Sequence, residues 1–241
     1  MPLLLLVQLW LGCRSAYKTE PRTERSGKSS RKREPPSTTA IFPNLADDAE
    51  LLLFINGEKV LTNHIVWQPN SRFKSVGEGV LEGERVQMST EIQCDMDGRW
   101  KTLRLKMPIH STAIYRTTGD GADLVQPDGT TNSVILEKGS LPFPGLEGLN
   151  LFAAYYDFKK GGTQVFPVVV PHKKAREISL RVIRSLHAPF GRTQIFLREF
   201  EMILGDEMTA LVLVDPGGRL IRSEMPTEDS VFIRKEFLFL R

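Results

Sequence analysis

Alternating apolar and polar positions run through most of the chain after residue 41, and they predict an all-β domain. Turn-forming residues interrupt the apolar runs roughly every 8–12 residues, as in β-sandwiches and barrels. The clearest run spans the eleven residues 86–96. One predicted face carries Val86, Met88, Thr90, Ile92, Cys94 and Met96, and the other carries Gln87, Ser89, Glu91, Gln93 and Asp95. A period of two over this length excludes a helix and predicts a strand with one buried face.

Two hairpins can be placed from their turn residues. The apolar run 51–55 is followed by Asn56-Gly57, the strongest short-range hairpin signal, and then by a second run over 59–67. Asp97-Gly98 likewise joins the strand at 86–96 to an alternating run over 100–107. The second pair predicts antiparallel strands with one apolar face and one solvated face.

The second half of the chain predicts one helix among further strands. A Pro- and Gly-rich turn region at 139–148 precedes a helix over 149–160, which Gly161-Gly162 ends. The run 163–170 is apolar on both sides and predicts a deeply buried strand. A short strand is also predicted over 122–125, and later strands are predicted over 178–182, 193–204, 209–214, 220–225 and 230–239. We therefore expect one β-domain over 41–241, a large antiparallel curled sheet or a closed or half-open barrel of about 11–12 strands with one short capping helix.

The first thirteen residues, MPLLLLVQLWLGC, are mostly apolar. This run is too short to span a bilayer, which takes about 20 residues, but it suits the core of a signal peptide. Its end, Leu11-Gly12-Cys13, resembles the lipobox of bacterial lipoproteins, with Trp10 standing where that pattern usually has Leu. The resemblance implies a leader over 1–13 and an acylated Cys13 that anchors the protein to the periplasmic side of the cell envelope. Secretion through an ordinary signal peptide, or a translation start farther upstream, are the alternatives.

Residues 14–40 are basic and rich in Ser, Thr and Pro, and they predict a disordered linker. They hold eight Lys and Arg against three Glu, whereas the rest of the chain holds 24 basic and 26 acidic residues. The Arg31-Lys32-Arg33 cluster could rest on anionic lipid, or the linker could be a solvated spacer. Because the excess of basic charge belongs to the linker, the body has no electrostatic basis for binding nucleic acid.

Motifs for catalysis or for a cofactor are not found in the sequence. There is no Gly-x-Ser-x-Gly motif, and Gly77-Glu78-Gly79 lacks the later glycine of a dinucleotide site. None of the histidines has a partner at metal-ligand spacing; they are His64, His110, His172 and His187. We expect His64 to hydrogen-bond to the backbone, and we expect no enzyme activity, metal or cofactor.

Three carboxylate pairs could serve acid–base catalysis, namely Asp47 with Asp48, Asp120 with Asp123, and Glu199 with Glu201. Glu199 and Glu201 fall on one face of a predicted strand, about 7 Å apart by strand rise, which could suit an inverting glycosidase. Alternating glutamates are more often the solvated face of a strand. The one cysteine beyond Cys13 is Cys94, and its place on the apolar face predicts a buried thiol.

Large apolar side chains are dense in the middle of the chain, beside several glycines. We take six of them as candidate ligand-binding residues, namely Phe143, Leu149, Phe152, Tyr155, Tyr156 and Phe158. They could form a lid over an apolar cavity, with the tyrosine hydroxyls at its wet edge. Alternatively, they seal one end of the core and bind nothing.

Short segments of the chain resemble bacterial exported β-domains of unknown function, which are similar in outline to the lipoprotein carriers LolA and LolB. The matching segments are LFINGEKV at 53–60, YYDF at 155–158, and VLVD at 212–215 with its continuation to Pro226. The resemblance implies a wide curled sheet in an exported protein and supplies no catalytic residues.

The leading hypothesis from the sequence is a lipid-anchored cell-envelope protein that binds a lipid or another apolar ligand on the concave face of its sheet. A structural or interaction module with a filled core is the alternative, and a hydrolase is a third. Protein partners stay open.

Overall fold

The computed structural model describes residues 40–81, 83–106, 112–118, 121–125, 129–170, 177–205 and 208–241. The predicted leader with Cys13, the predicted linker up to residue 39, His110, His172 and Asp120 lie outside the described residues. Fifteen strands form one sheet within these ranges. They are β1 (Asp47–Ile55), β2 (Glu58–Gln68), β3 (Arg72–Leu81), β4 (Glu84–Cys94), β5 (Trp100–Lys106), β6 (Ala113–Thr118), β7 (Gly121–Val125), β8 (Thr131–Ile135), β9 (Leu141–Pro142), β10 (Gln164–Val169), β11 (Glu177–Phe190), β12 (Thr193–Leu204), β13 (Met208–Val214), β14 (Leu220–Met225) and β15 (Ser230–Arg234).

The sheet is two meanders joined in the middle by the first and last strands. Its order is β8-β7-β6-β5-β4-β3-β2-β1-β15-β14-β13-β12-β11-β10-β9, and it is not closed. Every pairing is antiparallel except that of β9 with β10, which is parallel. The predicted all-β class and the half-open curled sheet are thereby confirmed.

Strands at the centre of the sheet are apolar on both faces because both faces are covered. On β1, Leu51 and Leu53 point into the main core on the concave side, whereas Leu52 and Phe54 belong to a smaller core on the convex side. The chain's last segment, a 3₁₀ helix over Lys235–Leu240, places Phe237 on this convex core. Strands farther from the centre bury one face and expose the other.

The curl brings the edge strand β9 close to β5 of the other meander. Trp100, at the start of β5, is fully buried, and its indole N–H donates to the carbonyl of Ser140, 2.8 Å away and just before β9. The backbone N–H of Ala40 donates to the same carbonyl at 3.4 Å. The space between the two meanders is occupied by the chain that follows Ser140.

Local turn chemistry fixes the predicted hairpins. Asn56 and Gly57 have φ values of 50° and 79°, the left-handed pair that the tight turn between β1 and β2 requires. The predicted inward positions Thr90 and Ile92 are fully buried on β4, whereas Gln93 is exposed. The strand stops at Cys94, so Met96 lies in the following turn and is fully exposed, contrary to the prediction.

Three further expectations were wrong. The only α-helix of the described residues, α1, spans Asn150–Ala153 and not 149–160, because its residues pack inside the sheet and the chain leaves that interior after Ala153. The strand expected to be deeply buried, β10, has Val165 55% exposed. The strand predicted over 230–239 ends at Arg234, where the covering 3₁₀ helix begins.

The fifteen strands exceed the predicted 11–12 because four were not recognised, namely β3, β6, β8 and β9. On β3 the inward positions after Phe73 are occupied by Ser75 and Gly77, so the strand lacks an apolar period. A Cβ on Gly77 would lie 2.7 Å from the side chain of Leu61. Small residues here leave room for what packs against the strand from inside.

Candidate functional site

The concave face of the sheet is filled by the chain itself. Every residue from 140 to 153 is buried, a run of fourteen that contains the apolar residues Leu146, Leu149, Leu151 and Phe152. We call residues 140–153 the interior segment. A 3₁₀ turn over Leu146–Gly148 and then α1 make up its second half.

The sequence of the interior segment suits a compact path and not a further long strand. Pro142 and Pro144 carry no N–H for strand pairing, and Gly145 adopts a φ of 85°. A Cβ on Gly148 would lie 2.7 Å from Cβ of Pro144 and 3.0 Å from the ring of Phe73. Only glycine therefore fits where the segment passes closest to β3.

Polar contacts attach the interior segment to both meanders. On one side, the hydroxyls of Ser75 (β3) and Thr90 (β4) each lie 3.2 Å from Oε1 of Glu147. On the other side, the Ser223 hydroxyl of β14 donates to the carbonyl of Leu146 at 2.9 Å. The Asn150 amide donates to the carbonyl of Gly218 at 2.9 Å. The segment thus links the two halves of the open sheet from within.

Glu147 is the most unusual of these residues because it is a fully buried carboxyl group that faces the hydroxyls of Ser75 and Thr90. Burial raises the pKa of Glu147 to about 7, against a smaller lowering by hydrogen bonds that include those of Ser75 and Thr90. Within the described residues, Oε2 of Glu147 and Nδ2 of nearby Asn63 have no hydrogen-bond partner. The group can therefore hold a proton near neutral pH in an enclosed, apolar setting.

The six candidate ligand-binding residues do not form one continuous lid. The three that lie inside the sheet are Phe143, Leu149 and Phe152. Tyr156 is buried at the rim, and Phe158, 50% exposed, packs edge-on against it with ring centroids 5.1 Å apart. Tyr155 is partly buried, and its hydroxyl donates to the carbonyl of Ile41.

Within the described residues, the carboxylates of two predicted acid–base pairs are held in separate ion pairs, and Asp123 of the third pair accepts a hydrogen bond from the Ser133 hydroxyl at 2.7 Å. Glu201 pairs with Arg181 at 2.6 Å, and Glu199 pairs with Arg184. Asp47 pairs with the buried Arg234, which also lies 3.6 Å from a carboxylate oxygen of Glu236. These carboxylates balance arginines and do not converge on a cleft.

His64 and Asp48 form an exposed contact, with Nε2 2.7 Å from Oδ1. The expected backbone partner of His64 is therefore wrong, because its ring reaches across to the neighbouring strand β1. In the part of the chain that the structure describes, no three His, Cys, Asp or Glu residues are grouped as for a metal ion.

Cys94 lies at the end of β4, partly buried and near Tyr155. Burial, with a smaller effect of Asp95, raises the pKa of the thiol to about 12. The protonated thiol is a poor nucleophile at neutral pH, so Cys94 acts here as a small apolar side chain.

Sequence reasoning missed the polar residues around Glu147, although the strand pattern contained a signal for them. Asn63 and Thr90 each occupy an inward position between apolar neighbours of the same face, and Ser75 follows Phe73 on the inward face of β3. All three are fully buried, and they belong to the adjacent strands β2, β3 and β4. A row of polar residues on a buried face predicts a buried polar partner, here Glu147.

Comparison with known proteins finds similarity in structure and not in sequence. No family model and no curated sequence matches this chain. A β-barrel-like protein of the domain of unknown function DUF1849 from Brucella abortus is 10% identical, with a TM-score of 0.50 over 81% of this chain and 97% of that one. The fold is β-barrel-like.

Two other solved structures are more distant in shape. A DUF1089 family protein from Pseudomonas aeruginosa is 13% identical, with a TM-score of 0.44 over 71% of this chain and 91% of that one. A presumed exported protein with a YmcC-like fold from Bacteroides fragilis is 9% identical, with a TM-score of 0.26 over 82% and 98%. Among the residues that the structure describes, no helix has the length and apolar character needed to cross a membrane.

Proposed function

We propose that this chain is a lipid-anchored protein of the bacterial cell envelope whose β-domain is a non-catalytic structural or interaction module. The observation that carries the proposal is the interior segment, since fourteen consecutive buried residues occupy the place where a carrier would hold its ligand. A domain filled in this way offers its outer surface to partners. The anchor and the compartment rest on the lipobox resemblance at Leu11-Gly12-Cys13.

The absence of catalysis is part of the same proposal. It is supported by the dispersal of the carboxylates, because Glu199 and Glu201 each neutralise an arginine. Within the described residues, the buried carboxyl of Glu147 is enclosed by hydroxyls and apolar side chains, so a substrate could not reach it. Cys94 is further disfavoured as a nucleophile by its raised thiol pKa.

The anchor is tested by metabolic labelling with a palmitate analogue and by membrane fractionation of the expressed full chain. Cys13→Ser should abolish the label and move the protein out of the membrane fraction. Cys94→Ser is the matched control, because it removes the other cysteine of the chain and should keep both properties. An unlabelled wild-type protein, or unchanged fractionation of Cys13→Ser, refutes the anchor.

The filled interior is tested by titrating the folded protein with a fluorescent fatty acid. We expect no saturable binding, because the interior segment would have to leave before an acyl chain could enter. A saturable enhancement of fluorescence that Leu149→Ala or Phe152→Ala alters, in variants that still fold by circular dichroism, would refute the filled module.

Such a result would support the second candidate function, a carrier that binds an apolar ligand, in line with the outline of LolA and LolB. One observation favours it. Buried polar atoms along the interior segment lack hydrogen-bond partners within the described residues, namely Oε2 of Glu147 and Oδ1 of Asn150. Each such atom costs roughly 1–3 kcal/mol, so the segment is held less tightly than its burial alone indicates.

A further inference from the structure

An arginine on the rim of the sheet is stacked on aromatic rings and has no carboxylate partner within the described residues. The guanidinium carbon of Arg198 lies 4.2 Å from the ring centroid of Phe158 and 5.1 Å from that of Phe196. Phe158 is 50% exposed. Stacking fixes the guanidinium plane and leaves its N–H donors available to an oxyanion.

The carboxylates of the same hairpin form ion pairs with other arginines. Glu199 and Glu201 of β12 pair with arginines of β11. Residues 198 and 199 point to opposite faces of the strand, so these ion pairs lie on the face away from Arg198. The side of the hairpin that carries Arg198 is therefore left with uncompensated positive charge.

Two more cationic side chains follow Phe158 in the chain. Lys159 and Lys160 follow it in an exposed turn, and neither forms an ion pair within the described residues. His187 is also exposed, and its ring lies 5.3 Å from that of Phe196. Nearby Asp157 accepts the backbone N–H groups of Lys159 at 2.9 Å and Lys160 at 3.4 Å through Oδ1.

We propose that this patch binds the anionic headgroups of a lipid bilayer, with Phe158 reaching the boundary of the acyl chains. We call it the Arg198 surface, formed by Phe158, Lys159, Lys160, His187, Phe196 and Arg198. Three lysine and arginine cations spread around one exposed aromatic ring match an array of mobile phosphates. They form no enclosed pocket of the kind that would fix one free anion.

The charge pattern also distinguishes a bilayer from a folded protein partner. The guanidinium can bind a phosphate with two parallel hydrogen bonds, and an aromatic side chain beside lysines is typical of the membrane–water interface. The proposal goes beyond the lipid anchor and does not depend on it, because the Arg198 surface belongs to the folded body.

The test measures partition of the full chain, carrying Cys13→Ser, onto vesicles of equal parts phosphatidylglycerol and phosphatidylcholine, with pure phosphatidylcholine vesicles as comparison. Arg198→Gln should weaken partition onto the anionic vesicles about five-fold, as expected for one basic residue near an anionic surface. Phe158→Ala should also weaken it. The leader and linker are the same in all variants, so ratios between variants report on the Arg198 surface.

The matched controls are Arg85→Gln, an exposed arginine on β4 of the other meander, and Phe239→Ala, a 53% exposed phenylalanine near the carboxyl terminus. Both should leave partition unchanged. Equal losses in the controls, or no loss in either test variant, overturn the proposal. If Arg198→Gln fails to fold, the exposed double variant Lys159→Gln/Lys160→Gln takes its place. It should weaken partition onto the anionic vesicles, and unchanged partition would overturn the proposal.

Inorganic phosphate separates a lipid headgroup from a free anion. At constant ionic strength, replacing chloride by phosphate should leave partition unchanged, and strong competition by phosphate would overturn the choice of a membrane. As a direct readout, Phe158→Trp should gain fluorescence that brominated acyl chains quench. An added signal that these lipids leave unquenched also refutes the proposal.

Discussion

Relative to the wild type, the Glu147→Gln variant should be more stable at alkaline pH than it is at acidic pH. The carboxyl is fully buried, and burial raises its pKa from 4.5 to about 7. Gln keeps the size and the polar contacts of the side chain with Ser75 and Thr90 but cannot ionise. The substitution therefore removes one titration from the interior and leaves the packing of the segment in place.

The sign follows from proton linkage. Between the unfolded and folded pKa values the folded wild type holds a proton that the unfolded chain has lost, so stability falls as pH rises from 4.5 to about 7. Above that range the loss is complete. A shift of this size corresponds to roughly 3 kcal/mol. The Glu147→Gln variant escapes this loss, so its advantage over the wild type should grow by that amount across the interval.

The assay is urea unfolding of both proteins at pH 5, 6, 7 and 8, compared as a difference so that other titrating groups cancel. Glu137→Gln is the control, because that carboxylate is exposed beside the interior segment. Its difference from the wild type should stay small at every pH. If the difference between wild type and Glu147→Gln is constant from pH 5 to 8, the carboxyl is not enclosed, and the described interior is wrong.

Three other outcomes follow from the structure. Ile92→Asp should prevent folding, as judged by circular dichroism, because it puts an unpaired charge in the core. Gln93→Asp, on the exposed face of β4, should fold. Normal folding of both variants would refute the assigned face. Asp47→Ala should lower the free energy of unfolding by about 1.5–3 kcal/mol in urea titrations, because the buried guanidinium of Arg234 loses its buried carboxylate partner and keeps only Glu236 at 3.6 Å and the carbonyl of Leu220. A loss below about 1 kcal/mol would show the pair to be solvated. Iodoacetamide at pH 8 should alkylate Cys94 roughly a hundredfold more slowly in folded than in denatured protein, and equal rates would contradict the raised thiol pKa.

The features predicted best from the sequence are those determined by residues that lie close together in the chain. The alternation on β4 placed Thr90 and Ile92 on the inward face, and Asn56-Gly57 fixed the hairpin of β1 and β2, since both signals act over a few residues. The strand β1 was predicted, but its burial on both faces was not, because what covers its second face is the distant 3₁₀ helix at the carboxyl terminus.

The interior could not be predicted because its causes lie far apart in the chain. Ser75 and Gly77 break the apolar period of β3, and the reason is the approach of Gly148, some seventy residues later. The helix predicted over 149–160 has the composition of an apolar helix, but enclosure by the sheet limits it to α1. The space available between the two meanders, and not helix propensity, sets the length of α1.

The carboxyl of Glu147 connects the filled interior to the choice between the two candidate functions. A purely structural core gains nothing from a buried acid, since an apolar side chain of similar size would avoid the desolvation that raises its pKa. A segment meant to leave the interior would be loosened when this group loses its proton. Fatty-acid binding that stays absent at pH 8, where the proton is gone, therefore argues for the filled module more strongly than its absence at pH 5. At the lower pH, the protonated carboxyl and its hydroxyl partners keep the segment in place whichever function is true.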